Sequence, residues 1–380
     1  MKTEKNLYPY ILDDKNVLQA IKDVVKNKKK TKKSVRRLAE NPEKGVKHFY
    51  EWLFSDRKPF MHRARVINDG YTAKKRIVIK PYLRTEQVLQ HLVVGALKEM
   101  FCRGMYFLSC GSVPNRGTHY GKKYIEKYIK SHPENTKYAL QLDIRHFYES
   151  IDTNLLKERF ATYIKDEQFL ELVYFVIDSN GAILDGKEIS SGLPIGFYTS
   201  QWFANWFLQP LDHYIKEELK AEFYVRYMDD MLIFSSSKSK LHEMKVKIEA
   251  YLKDLHLQLK ANHQVYLFDY IDENGKRKGR CANFMGFKFY RDKTTIRSKI
   301  FIRARRKAKQ ISKTGRCTWR DTSQIMSYMG WFSHTDSHKA FEKYIAPNIN
   351  LNSLKSIARK HSLKLQAQKK DTTKSKGNKQ

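Results

Sequence analysis

Three carboxylates stand inside apolar sequence. Asp143 closes residues 138–144 (YALQLDI), and Asp229 and Asp230 sit side by side in residues 223–235 (FYVRYMDDMLIFS). An aspartate at a strand end, or an Asp pair in a turn, is ordinary taken singly. Two adjacent aspartates between apolar runs repel each other at a tight turn, and a cation between them relieves that repulsion. Hard oxygen ligands suit Mg²⁺, which takes one or two carboxylates plus substrate phosphates. Two such ions about 3.5–4 Å apart stabilise the attacking and leaving oxygens of an in-line phosphoryl transfer. The chain also carries a formal net charge of +33, which favours a polyanionic partner. Together these features point to nucleotidyl transfer along nucleic acid.

The acids need firm elements to hold them. In residues 138–144, Tyr138, Leu140, Leu142 and Ile144 alternate with Ala139, Gln141 and Asp143, so the spacing predicts a half-buried strand with a carboxylate near its end. Residues 223–235 predict a hairpin with the acids at the turn. Residues 74–80 (KKRIVIK) read as a strand, and Gln87–Met100 as a helix with Val88, Leu89, Leu92, Val93, Ala96, Leu97 and Met100 at helical spacing. Residues 110–121 and 192–201 are rich in loop formers, the second opening onto a helix over Trp202–Ile215. Helices are expected over 154–163, 166–177, 241–255, 302–311 and 323–344, and a β-ribbon over 283–297. Residues 26–37 form a dense basic run, and the chain turns polar after Asn348, with 368–380 expected to be a disordered basic tail.

Composition excludes several classes. Hydrophobic residues make up 41% and aromatics 13% of the 380 residues, enough to offset ordering entropy. The four cysteines, Cys102, Cys110, Cys281 and Cys317, form no CxxC pair and no zinc spacing. No apolar run approaches the roughly 18 residues of a membrane span, and the N-terminus lacks the pattern of a secretory signal. The expectation is a soluble, reduced, cytoplasmic protein without a membrane partner.

At the acidic residues the sequence resembles the reverse transcriptases. Tyr227-Met228-Asp229-Asp230 resembles their YxDD turn, and residues 142–152 (LDIRHFYESID) their first acidic motif in its bacterial form. Residues 192–201 (GLPIGFYTSQ) resemble the loop that supports template and incoming nucleotide. Phe284-Met285-Gly286-Phe287 resembles the primer-grip ribbon, Lys74–Lys80 the fingers strand and Ser327–Phe332 a thumb helix, in family order from about residue 63 to 345. The resemblance implies an α+β right-hand polymerase. Its parts would be a basic N-terminal extension (1–62), fingers (63–135), a palm with an antiparallel sheet (136–292, with a fingers insertion at about 155–190), a helical thumb (293–347) and a basic, partly disordered tail (348–380). It also implies residue roles. Asp143, Asp229 and Asp230 would be catalytic, holding two Mg²⁺ (with Mn²⁺ as substitute) together with the Ile144 carbonyl. Tyr148 would gate the sugar, excluding a ribose 2′-OH. Arg76, Lys74 and Lys80 would grip the triphosphate, and Ile144, Ile195, Gly196 and Gln201 would complete the nucleotide site. The chain departs from the family at Thr85-Glu86-Gln87, where many bacterial relatives carry an Asp-Arg pair, which leaves open which cation grips the triphosphate.

The subtype signals are Ile195-Gly196 in place of Gln-Gly, Ser200-Gln201 in place of Ser-Pro, residues 260–266 (KANHQVY) and residues 330–336 (GWFSHTD). These resemble the enzymes of diversity-generating retroelements, encoded by bacteria or phage. Such an enzyme copies a structured template RNA into cDNA from dNTPs, with frequent errors opposite adenine, and a small basic accessory protein or second subunit is a further implied partner. An apolar Ile195 cannot make the hydrogen bonds of a glutamine there, so base selection rests more on pairing alone. Anti-phage defence reverse transcriptases working with a non-coding RNA are the alternative, and a non-catalytic RNA-binding scaffold is the alternative of another class. Templated and template-independent synthesis both stay open, because the same acidic site serves both.

Overall fold

The computed structural model describes residues 3–26, 28, 32–59, 61–68, 75–190 and 192–377. Lys74, expected at the triphosphate, lies outside these residues, as do Lys29 and Lys30 of the basic run. The chain forms two compact units, one reaching to Tyr128 and resuming over His132–Tyr266, the other made of Ile129–Ser131 and Leu267 onward. Among the described residues, no helix is long and apolar enough to cross a membrane.

The first unit begins with four helices: α1 (Tyr8–Leu12), α2 (Asp14–Lys26), α3 (Lys33–Glu40) and α4 (Pro42–Leu53). On α2, Val17, Ala20, Ile21, Val24 and Val25 repeat at helical spacing and are buried, while Lys32, Lys33, Arg36 and Arg37 stay exposed. Strands β1 (His62–Asn68) and β2 (Lys75–Ile79) pair antiparallel, Ala64 opposite Ile79 and Arg65 opposite Val78. Next come α5 (Glu86–Cys102), α6 (Thr118–Ser131), β3 (Tyr138–Asp143), α7 (Phe147–Ser150), α8 (Thr153–Tyr163), α9 (Glu167–Asp178), β4 (Ala182–Leu184) and β5 (Lys187–Ile189). Strand β4 joins β1 in parallel, giving a sheet of order β2-β1-β4-β5.

Helix α10 (Tyr198–Phe207) starts four residues before the expected Trp202, because Tyr198-Thr199-Ser200-Gln201 already turns helically. It ends where Pro210, lacking an N–H, restarts the chain as α11 (Gln209–His213), followed by a π-turn over Tyr214–Glu218. Strands β6 (Phe223–Tyr227) and β7 (Asp230–Ser235), α12 (Lys238–Asp254) and β8 (Gln264–Leu267) complete a sheet of order β6-β7-β3-β8. One core, which includes Leu140, Leu142, Ile144, Phe203, Trp206, Tyr224 and Ile233, lies beneath this sheet and α10.

In the second unit, short β9 (Tyr270–Ile271) and β10 (Arg277–Lys278) precede the expected ribbon, here three-stranded: β11 (Ala282–Phe284), β12 (Phe287–Phe289) and β13 (Thr294–Ile296). Helix α13 (Ser298–Thr314) follows. The helix expected over 323–344 is two helices, α14 (Trp319–Ser333) and α15 (His338–Tyr344). The break has a cause: Asp336 and Ser337 leave the helix to serve the edge of β13, accepting the Thr294 N–H at 2.8 Å and the Ile296 N–H at 3.1 Å. The polar stretch expected after Asn348 is a helix, α16 (Leu351–Gly377). Leu354 fastens it to the core of this unit, and the His361 ring stacks on Trp319 at 3.9 Å.

Candidate active site

Strand register brings the acidic elements together. Strands β3 and β7 pair antiparallel so that Asp143 stands opposite Asp230, which puts both side chains on one face of the sheet. Strands β6 and β7 close from Tyr227 to Asp230, leaving Met228 and Asp229 as a two-residue turn. Asp229 is therefore the turn acid, while Asp230 is the first residue of the strand rather than part of the turn. Met228 holds φ at +56°, a conformation costing an L-residue about 1–3 kcal/mol that persists only where the surroundings enforce it.

Those surroundings are identifiable. Residues 108–110 run along β6, the Arg226 N–H donating to Leu108 O at 3.1 Å and the Cys110 N–H to Arg226 O at 2.8 Å. The next residue, Gly111, lies directly against the turn, where a Cβ would stand 2.7 Å from the Met228 nitrogen and side chain. On the other side, Arg226 Nη1 donates to Met228 O at 3.1 Å and to Asn205 Oδ1 at 3.0 Å. The same guanidinium meets Asp212 two-pronged, Nε to Oδ1 at 2.7 Å and Nη2 to Oδ2 at 2.5 Å, and the Tyr224 hydroxyl adds a bond to Asp212 Oδ1 at 2.7 Å. Arg226, Asp212 and Tyr224 are wholly buried. Burial would pull the guanidinium down, yet the Asp212 charge and hydrogen bonds hold it above its ordinary value. Asn205 Nδ2 closes the ring by donating to Gly111 O at 2.5 Å.

In the corner that this scaffold builds, Asp143 and Asp229 face each other. Burial, and then the Asp143 charge, push the Asp229 carboxyl up to about 6. Asp143 Oδ1 is buried without a hydrogen-bond partner, while Oδ2 accepts from Lys260 Nζ and the backbone carbonyl accepts the Lys260 N–H at 2.8 Å. Among the described residues, no group of three or more His, Cys, Asp or Glu side chains is gathered to hold a metal. Two repelling carboxylates and one orphaned buried oxygen nonetheless fit a hard divalent cation whose remaining ligands are substrate phosphates.

The other expected residues separate into two groups. The Tyr148 phenol is pushed well up, by burial first and then by the Asp229 charge, while the Arg76 charge opposes the shift, so Tyr148, Asp229 and Arg76 share one electrostatic neighbourhood. Ile195 O accepts the Ile79 N–H at 2.9 Å, tying the 192–197 loop to the strand that carries Arg76. Gly196, at φ +117°, lets that strand approach, since a Cβ would lie 2.2 Å from Ile79 O. Ile144 buries its side chain in the core, and its neighbour Arg145 donates its N–H to Gln258 O at 2.7 Å. Gln201 is exposed on α10. Lys80 lines a different cavity, together with Arg63, Arg65 and Arg84.

Sequence reasoning missed Arg226, Asp212, Asn205, Gly111 and the Lys260–Asp143 pair. One signal was available: Arg226 is a cation inside an apolar strand, and a buried guanidinium requires an acid. A family model described as reverse transcriptase (RNA-dependent DNA polymerase) matches residues 69–289, a stretch that carries β2, the 192–197 loop and both acidic elements. That match covers more than half of the 380 residues, and the chain belongs to the reverse transcriptases, nucleotidyltransferases that make DNA under the direction of RNA.

Proposed function

We propose that the chain copies a dedicated structured RNA into cDNA by metal-assisted nucleotidyl transfer at the Asp143–Asp229 corner, with the parts of a right-hand polymerase: fingers over 63–135, palm over 136–292 and thumb over 293–347. The observation that carries this reading is the corner itself, two half-buried carboxylates pressed together with one buried oxygen orphaned. Asp143 and Asp229 would hold two Mg²⁺, with Asp230 and the Ile144 carbonyl beside them. Ions held there would supply Lewis-acid activation of the primer 3′-OH and offset charge on the departing pyrophosphate. Arg76 binds the triphosphate as a fixed cation. The Tyr148 ring occupies the space of a ribose 2′-OH and selects deoxynucleotides. The Arg226–Asp212 network fixes the turn, so that Asp229 meets the substrate without rearrangement. Asp229→Asn should abolish dNTP incorporation while RNA binding stays within about twofold, since one uncharged swap removes no phosphate contact. Surviving incorporation would overturn the assignment.

The diversity-generating reading rests on Ile195. Its carbonyl is committed to Ile79, and its side chain offers no donor or acceptor to a template base or an incoming sugar. Ile195→Gln should lower misincorporation opposite template adenine by about tenfold, the discrimination a single added pocket contact supplies. An unchanged error spectrum in sequenced cDNA would remove this subtype.

A further inference from the structure

Three bonds hold the loop over 192–197. Upstream, the Leu193 N–H donates to Tyr148 O at 2.7 Å, so the loop grips the backbone of the residue proposed to gate the sugar. In the middle, Ile195 O accepts the Ile79 N–H at 2.9 Å, from the strand that carries Arg76. Downstream, the loop runs into α10, whose N-cap residue Phe197 has no side-chain oxygen to offer the first turn. The Tyr198 N–H donates instead to Gln90 Oε1 on α5, at 2.9 Å. The neighbouring His91 ring lies flat on the Tyr198 ring, 3.9 Å away and 7° from parallel.

Gln90 is a fixed post. It is 1% exposed, on a helix whose Leu89, Leu92 and Val93 sit in the core, and a buried amide keeps its hydrogen-bond partner. One turn earlier on the same face, Glu86 Oε2 accepts the Tyr82 N–H and a His62 ring hydrogen bond, each at 2.7 Å, and Gln87 Nε2 donates to Pro81 O at 2.6 Å. These bonds tie α5 to the 80–85 loop, which follows β2 directly. One helix face therefore locates both the end of the Arg76 strand and the start of α10. The 192–197 loop spans the gap between them. Ser200 Oγ, in the first turn of α10, donates to Pro194 O at 2.7 Å and passes the position of that helix back into the loop. Without the Gln90 bond the downstream end of the loop is free to shift, and the Leu193 bond carries the shift to Tyr148.

We infer that Gln90 is a positioning residue for the nucleotide site. By holding the Tyr198 N–H, with the His91 ring stacked on the same residue, it sets the place of the 192–197 loop. Through Leu193 it sets the place of Tyr148, and so it governs discrimination between deoxyribonucleotides and ribonucleotides. The inference rests on the RNA-copying reading and on the Tyr148 gate, and the test separates the three. The ratio of kcat/KM for dNTP over rNTP is measured on a primed RNA template for wild type, Gln90→Met, Tyr198→Pro, the double variant and Tyr148→Ala. The ratio does not depend on how much of a preparation is folded, so a merely structural role for Gln90 leaves it unmoved. Methionine keeps the length of glutamine without its carbonyl. Proline at the first position of a helix removes the N–H and the stacked ring while keeping the helix, and the extended Phe197 before it, at ψ 137°, tolerates a following proline. Each single variant should lower the ratio about 2- to 10-fold, the reach of one hydrogen bond. The double variant should fall no further than Tyr198→Pro, because both changes cut the same bond. Tyr198→Pro carries the test by itself should Gln90→Met fail to fold. Variants at the wild-type ratio, or single effects that multiply in the double variant, overturn the positioning role alone. Tyr148→Ala at the wild-type ratio overturns the gate and this inference with it. A wild type that incorporates no dNTP overturns the RNA-copying reading as well.

Discussion

The Met228–Asp229 turn is held by a charge pair that stability measurements and activity measurements should see differently. Arg226 and Asp212 are both fully buried and joined by two hydrogen bonds, at 2.7 and 2.5 Å. Arg226→Met leaves the Asp212 carboxylate buried with only the Tyr224 hydroxyl of its present partners, at a cost of about 3–5 kcal/mol. A unit of this size loses about 2–4 °C in melting temperature per kcal/mol, so the single variant should melt about 6–20 °C lower. Removing both charges is a different perturbation. Arg226→Met/Asp212→Leu replaces the pair with apolar side chains, which is neutral or stabilising by about 1–4 kcal/mol at comparable sites, so melting should return to wild type. The anchor on Met228 O does not return with it. Met228 sits at φ +56° with its carbonyl 3.1 Å from Arg226 Nη1, and freeing it lets Asp229 drift. A displacement of about 1 Å at a reacting centre costs on the order of 100-fold in rate. Primer extension by the folded double variant should therefore stay about 100-fold down, with a raised Mg²⁺ concentration for half-maximal rate. Recovery of extension together with melting would refute the claim that this network positions the turn.

Two further outcomes follow from the same geometry. Tyr148→Ala should raise ribonucleotide relative to deoxyribonucleotide incorporation by about tenfold or more, the scale of a lost steric exclusion, read in single-nucleotide extension; an unchanged ratio places the sugar gate elsewhere. The buried His62 has both ring nitrogens on acceptors, Glu86 Oε2 at 2.7 Å and Gly181 O at 3.2 Å, so the charged ring fits the site best. Burial opposes that charge, but the Glu86 bond and charge outweigh it and raise the His62 pKa above 6.5. A pKa raised on folding gives stabilisation that is complete below the unfolded value and is lost as pH climbs through the folded one. The melting-temperature gap between wild type and His62→Gln should thus be widest at about pH 5.5–6.5 and shrink toward alkaline pH, and a gap that widens instead would refute the charged pair.

What the sequence made legible was whatever depends on near neighbours. The alternation around Asp143 yields β3, and the apolar runs flanking Asp229 and Asp230 yield β6 and β7, because burial on one face of a pleat leaves a period of two. The helical spacing of Val88, Leu92 and Val93 yields α5 for the corresponding reason. Boundaries failed where a distant partner intervened. The 323–344 segment has no proline, and its one glycine, Gly330, lies inside α14; it splits because Asp336 and Ser337 satisfy the edge of β13, some 40 residues earlier in the chain. The tail continues as α16 for a similar reason, Leu354 finding a core to enter that its polar neighbours do not advertise.

The candidate site follows the same division. The carboxylates were conspicuous because charge in apolar sequence is costly and therefore noticed. The residues that aim them were not, since Asp212 and Asn205 lie on helices whose approach to β6 only the complete fold creates. Gly111 looks like one more loop glycine until the Met228 backbone is seen occupying the place of its missing Cβ. Arg226 shows how such a residue becomes readable. Within 223–227 every other side chain is apolar or aromatic, so its guanidinium must find an acid or leave the strand. The acid it finds is on α11, and through that bond the packing of one helix decides where the Asp229 carboxylate points. Arg226 donates to the turn, Gly111 packs against it, and Asp212 and Asn205 hold Arg226, so substitutions at these four should change rate through geometry while the cations proposed to bind nucleotide stay in place.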